Sequence, residues 1–162
     1  MALRDEEWFR CFGCSPRNPR GLALEPRLTG SDEATCDVTF DADLASHPGI
    51  VHGGIVSTAV DDLMANLLVM QRRVLTFSTV LRTRFLSPVL TGRPYRIVAR
   101  ITGEWDGGFR TEAEVAGGDG RVCASATATY APIGADQFAE LEARLADHPA
   151  AGKTLREVNG DN

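Results

Sequence analysis

The spacing of hydrophobic positions divides the chain into three stretches with different periods. From Gly54 to about Gln71 apolar residues recur at helical spacing, and Ile55, Val56, Ala59, Val60, Leu63, Met64 and Leu67 form one broad face. A helix of about 18 residues is roughly 27 Å long. Before it, Leu22 to Leu28 and Glu33 to Phe40 read as two strands joined by the turn Thr29-Gly30-Ser31-Asp32, with Ala42 to Ile50 as loop. After Arg73 the period becomes two: Phe77, Leu81 and Phe85 share one face with Thr79 and Thr83 between them, and Ser78, Val80, Arg82 and Arg84 fall on the other. Tyr95 to Thr102, Phe109 to Val115 and Arg121 to Ala131 continue as strands, separated by Asp106-Gly107-Gly108 and Gly117-Gly118-Asp119-Gly120. Ala2 to Arg10 reads as a short helix carrying Trp8 and Phe9, and Gln137 to Ala146 as a terminal helix. From His148 onward the tail is polar and is expected to fray. Two strands, a long helix and four antiparallel strands predict an α+β fold in which a curved antiparallel sheet of about six strands wraps the helix.

Composition adds bounds to this pattern. With 162 residues, residues 1–162 are expected to form a single domain, with a leader over 1–21 and a tail over 148–162. The chain is 43% hydrophobic and 24% charged, with a net charge of −5, a balance that argues against nucleic acid and anionic membrane as partners. No run of 18 or more apolar residues is present, so no membrane span is expected. The opening MALRDEEWFRCFGC lacks the apolar core of a secretion signal, and a cytoplasmic location is expected. Cys11, Cys14, Cys36 and Cys123 are then expected as reduced thiols.

Candidate chemistry concentrates at the helix. Asp61 and Asp62 lie inside its apolar run, where a carboxylate is costly unless it is solvated, paired or used. Asp61 shares a stripe with Ser57, Ala65 and Leu68, which places it at a packed seam, whereas Asp62, beside Thr58 and Asn66, reads as an edge residue without a role. Gly53-Gly54, where the helix starts, is either a tight turn or a pair of unpartnered N–H groups able to polarise a carbonyl oxygen. Asp61 is eight residues beyond Gly53, about 12 Å along the axis, too far for both to serve one carbonyl. If both act, they come from two chains, and the protein is a homodimer.

These residues carry a resemblance. His52-Gly53-Gly54, with Asp61 nine positions after the histidine, resembles the hotdog-fold thioesterases of the phenylacetate-pathway (PaaI-like) group. Ser78-x9-Pro88 is similar to that family's strand after the helix, and Cys11-x-x-Cys14…Asn18-Pro19-x-Gly21-Leu22 resembles a leader found in one subset. The resemblance spans roughly residues 8 to 131. It implies hydrolysis of an acyl-CoA thioester at a dimer interface, in a homodimer or a dimer of dimers. Asp61 would be nucleophile or general base, the Gly53 N–H would polarise the carbonyl, and His52 would bind near the thiol. Ser78, with Thr79 as its adjacent substitute, would place water or the carboxylate. Gly54, Ser46 and His47 would contact substrate.

One position departs from the family pattern. Where some members have Asn or Gln six residues before the histidine, this chain has Ser46, followed by His47. Two other readings remain open: a hotdog hydroxyacyl dehydratase or hydratase using His47 and Asp61, and a non-catalytic acyl-ligand-binding module. Arg82, Arg84, Arg96, Arg100 and Arg110 either hold coenzyme A phosphates or make a solvated sheet face. Cys11 and Cys14 are half of a zinc site, but no second Cys-x-x-Cys or His-x-x-x-His completes it, so no metal or cofactor is expected.

Overall fold

The computed structural model describes residues 3–160. Helix α1, Gly53–Arg72, forms the centre. Ahead of it come β1 (Arg27–Leu28), β2 (Glu33–Thr39) and a small ribbon of β3 (Ala45–His47) with β4 (Ile50–Val51). After it come β5 (Thr76–Phe85), β6 (Pro94–Trp105), β7 (Gly108–Gly117), β8 (Val122–Pro132), and the helices α2 (Ala135–Arg144) and α3 (Pro149–Val158). Six strands form one antiparallel sheet in the order β1-β2-β6-β7-β8-β5, curved around α1. Leu28 pairs with Ala34 across the expected Thr29–Asp32 turn.

The core explains why the sheet accepts the helix. Val56, Ala59, Val60, Leu63, Met64, Leu67 and Leu68 are buried on one side of α1. The sheet answers with small side chains: Ala99 on β6, Ala113 on β7, and Ala124, Ala126 and Ala128 on β8, all buried. Short methyl groups bring the helix axis close and leave the volume to the helix's leucines. By length and composition α1 is apolar enough to cross a membrane, but its apolar face is used in this core. The sheet's outer face is polar. Arg96 donates to Asp37 at 2.7 Å and Arg100 to Glu33 at 2.9 Å across β2–β6, and Arg110 lies over the Trp105 ring. Three of the five strand arginines are thus engaged on that face.

Four expectations change. Leu22 to Leu28 is strand only at Arg27–Leu28, because the Leu22 and Leu24 N–H groups donate to Phe12 and Gly13 in the leader, at 2.8 and 2.9 Å. Ala23, at φ 49°, turns the chain between them. The expected N-terminal helix is a single 3-10 turn, Leu3–Asp5, and Ala2 lies outside the described residues. Over residues 148–160 the tail is not frayed, and 161–162 lie outside the described residues. α3 buries Ala151 and Leu155, Asn159 Oδ1 accepts from the Leu75 N–H at 2.8 Å, and Arg73 donates to the Glu157 carbonyl.

The fourth change concerns β5. Its pairing with β8 slips between Ser78 and Val80: Ser78 faces Tyr130 and Val80 faces Thr129, leaving Thr79 as an extra residue. The alternation therefore reverses at the bulge. Ser78, not Phe77, joins Leu81, Thr83 and Phe85 on the face that carries their cross-strand partners, the buried Tyr130, Ala128, Ala126 and Ala124. Phe77 is 44% exposed, consistent with that reversal.

Replacing Leu63 by Ala removes a fully buried side chain at the helix–sheet contact. It is expected to lower unfolding stability by about 2–5 kcal/mol in urea denaturation, with the secondary structure retained.

Candidate active site on the flanks of the central helix

Successive helical residues are about 100° apart, so Asp61 and Asp62 leave α1 toward different neighbours. Asp61 is half-buried and faces β8. The Tyr130 hydroxyl donates to Asp61 Oδ1 at 2.6 Å and lies 3.1 Å from the Asp61 carbonyl oxygen. Burial, and then the Asp61 charge, push the Tyr130 phenol far above its ordinary range, so Tyr130 is a permanent donor. The bulge places Ser78 beside Tyr130 on the same face of the sheet. Ser57, one turn before Asp61, donates to Thr83 Oγ1 at 3.0 Å and ties α1 to β5. Tyr130 thus bonds Asp61 and has Ser78 as its cross-strand neighbour, while no hydrogen bond links Ser78 to Asp61 among the described residues. Thr79 does not join them, because its hydroxyl is bonded to the carbonyl and hydroxyl oxygens of Thr129, at 3.1 and 2.7 Å.

The start of the helix forms a second locus. His52 is the N-cap, and its Nδ1 accepts from the Gly54 N–H at 2.9 Å. Donation into Nδ1 places the proton of the neutral ring on Nε2, facing outward. It also occupies the Gly54 amide. The Gly53 N–H has no partner among the described residues. A Cβ on Gly53 would meet the Phe85 ring at 3.1 Å, so the glycine lets the ring approach the helix terminus. Ser46, Ile50, Gly53, Val56, Phe85 and Pro88 line a cleft of about 440 Å³ there, and Asp61 is not part of it. Ser46 and His47 are exposed on β3, with Ser46 Oγ 3.3 Å from His47 Nδ1. Among the described residues no hydrogen bond links His47 to Asp61.

Asp62 is not a solvated edge residue. It is covered by the leader, with Cys11 Sγ 3.2 Å from its Oδ1 and Asn66 Nδ2 3.2 Å from its Oδ2. Burial and the adjacent Cys11 push its carboxyl up to about 8. The Cys14 thiol, donating to Cys11, holds Cys11 well below the usual thiol range, while the same bond and burial push Cys14 up. All four cysteines are free thiols. The donor atoms of Cys11, Cys14 and Asp62 lie within 4.8 Å of one another, a group among the described residues that could hold a metal.

No family model matches the chain, and no curated protein matches it in sequence. Solved structures match it in architecture. The thioesterase superfamily protein RHA08564 superposes with a TM-score of 0.70 at 18% identity, over 75% of this chain and 62% of that one. The PaaI protein of the Escherichia coli phenylacetic acid degradation operon gives 0.64 at 17% identity, over 70% of this chain and 81% of that one. The protein smu.793 of Streptococcus mutans, solved bound to acetyl CoA, gives 0.63 at 15% identity, over 68% and 89%. The fold is the hotdog fold. Within that hotdog framework, two features were missed from sequence: Tyr130 as the donor to Asp61, and the leader as the cover over Asp62. Tyr130 had a signal, being the one aromatic residue with a polar tip in the inward row Ala124, Ala126, Ala128 of β8. The leader contact had none, since Cys11 and Asp62 are 51 positions apart.

Tyr130→Phe removes the shortest bond to Asp61 and keeps the ring. The expected cost is about 1.5–3 kcal/mol of unfolding stability, toward the lower end because Asp61 is half-exposed, measured by denaturation against the parent.

Proposed function

We propose that the protein is an acyl-CoA thioesterase that works as a homodimer. The observation that carries the proposal is Asp61: a half-buried carboxylate on the core helix, held by the Tyr130 hydroxyl at 2.6 Å, with Ser78 paired opposite Tyr130 by the bulge in β5. Thioesterase-superfamily architecture supports the reaction class.

In this reading the Asp61 carboxylate attacks the thioester carbonyl carbon, or removes a proton from the water that does. The carbonyl oxygen becomes negative and is stabilised by the N–H of Gly53 of the partner subunit. Coenzyme A leaves as the thiol; where Asp61 itself attacks, water then hydrolyses the acyl-Asp61 anhydride, releasing the acid and restoring the carboxylate. Tyr130 fixes one carboxylate oxygen and directs the other toward substrate, and Ser78 positions water. His52, with its outward Nε2–H, donates near the leaving sulfur.

The need for a second chain rests on distance and on the sheet edge. Gly53 and Asp61 of one chain are about 12 Å apart along α1. β5 is an edge strand of 10 residues, with Phe77, Val80 and Phe85 between 44% and 52% exposed. A long apolar edge of this kind pairs with another strand, and a twofold partner would continue the sheet.

A panel of acyl-CoAs followed by free-thiol release tests the activity. Asp61→Asn is expected to lower kcat/KM by about 10² or more, with folding intact. Equal turnover by the variant refutes the mechanism, and the absence of turnover for every acyl group, with tight acyl-CoA binding, favours a binding module. A complementation experiment tests the shared site. Gly53→Pro removes the N–H at the first helical position, where the backbone accepts proline, and requires the Phe85 ring to shift by a few tenths of an ångström, so folding of the variant is checked alongside. Mixed dimers of Gly53→Pro with Asp61→Asn are expected to regain one intact site of two. No recovery, with mixed dimers shown to form, contradicts a composite site.

A further inference from the structure

The geometry points to a second site, separate from the proposed thioesterase chemistry: Cys11, Cys14 and Asp62 form a three-ligand site for a thiophilic divalent cation of the zinc class, with its fourth coordination position open to the cavity beneath the leader. The proposal does not depend on the acyl-CoA reading, and its readout is metal binding.

Four observations carry it. The first is proximity. One donor atom from each residue, two sulfurs and a carboxylate oxygen, lies within 4.8 Å of the others, and Cys11 Sγ to Asp62 Oδ1 is 3.2 Å. Tetrahedral zinc, with bonds of about 2.3 Å to sulfur and 2.0–2.2 Å to oxygen, needs neighbouring donors about 3.5–3.8 Å apart. Small side-chain rotations close that difference. Two thiolates and a carboxylate suit zinc better than calcium or magnesium, which prefer oxygen throughout.

The second is charge. Asp62 takes part in no ion pair among the described residues. The nearby Arg4 is committed to the Cys14 carbonyl at 3.1 Å and to Glu25 at 3.7 Å, and Arg73 to the Glu157 carbonyl. No arginine or lysine therefore occupies the Asp62 carboxyl, and a divalent cation that displaces its proton would meet no competing protein cation there.

The third is preparation of the ligands. Asn66 donates to Asp62 Oδ2 and to the Asp62 carbonyl, at 3.2 and 2.8 Å, which orients the carboxylate as outer-sphere groups do around metals. The Cys11–Cys14 loop is closed by the Ser15 N–H on the Cys11 carbonyl at 3.2 Å, and the buried Ser15 hydroxyl is bonded to the Phe9 carbonyl at 2.6 Å. Gly13 permits the close approach: a Cβ there would stand 2.2 Å from Asp62 Oδ1.

The fourth is space. A cavity of about 460 Å³ is lined by Cys11, Cys14, Asp62 and Asn66 at one end and by apolar groups such as Phe9 and Met70 elsewhere. A water or a small donor ligand fits at the fourth position, which is the arrangement of an open zinc site rather than a closed structural one.

Cobalt(II) substitution tests the site. Metal-free protein, kept reduced with a phosphine and with its free thiols counted, is titrated with Co²⁺. The expected result is one Co²⁺ per chain with thiolate-to-cobalt charge-transfer absorption, displaced by Zn²⁺. Cys11→Ser and Asp62→Asn are each expected to weaken binding at least tenfold and to abolish the rise in Tm that Zn²⁺ gives the parent. Asn66→Ala removes no ligand, keeps the test valid if a ligand variant fails to fold, and is expected to weaken binding to a lesser degree. Absence of charge-transfer absorption in fully reduced, folded protein overturns the proposal. So does binding that is unchanged by Asp62→Asn or Asn66→Ala.

Discussion

Burial of one face of α1 against the alanine-lined face of the sheet is the constraint from which the other features follow. Val56, Val60, Leu63, Met64 and Leu67 fill the space that Ala99, Ala113, Ala124, Ala126 and Ala128 leave open. Each such side chain contributes about 1.5–3 kcal/mol when removed from water. That commitment sets the rotation of the helix about its axis. With the rotation set, Asp61 must face β8 and Asp62 must face away from it, toward whatever covers that flank. A one-residue change in helical phase would exchange the two acids and also bring polar residues into the core.

Each flank then acquires its own chemistry. On the β8 side, Tyr130 is held within a row of alanines and has a single polar atom to satisfy, so its hydroxyl meets Asp61. On the other side, the leader folds back, with Gly13 against Asp62 and the two cysteines beside it. Two carboxylates adjacent in sequence thus occupy different surroundings: one is half-open and aimed at the sheet edge, the other is enclosed by sulfur. Neighbouring acids separated in this way acquire different properties from their surroundings.

Much of this was legible in the chain. The helix, the β1–β2 hairpin and the four later strands follow from periodicity, since long elements with one buried face declare themselves in the pattern. Asp61 was distinguishable from Asp62 because its stripe contains Ser57, Ala65 and Leu68. What failed was local and non-periodic. A single extra residue, Thr79, reverses every side chain of β5 on one side of it, and nothing in the alternation of Phe77 to Phe85 marks where the slip falls. Leu22 to Leu28 has strand-like composition, yet its hydrogen bonds go to the leader, a choice made by long-range contact. The tail looked polar because Ala151 and Leu155, a helical turn apart, are too few to register as an apolar face, although both are buried. The surroundings of Asp62 depend on a contact across 51 positions, which periodicity does not encode.

The central claim is that Asp61, and not Asp62, faces the reacting carbonyl, with the opposing donor supplied by a second chain. A crystal structure with a non-hydrolysable acyl-CoA analogue measures this directly. The expected result places the carbonyl carbon position about 3–3.5 Å from an Asp61 carboxylate oxygen, with the carbonyl oxygen against the N–H of Gly53 of the partner subunit. An acyl carbonyl bound beneath the leader beside Asp62, or one served by Gly53 and Asp61 of the same chain, would contradict the account.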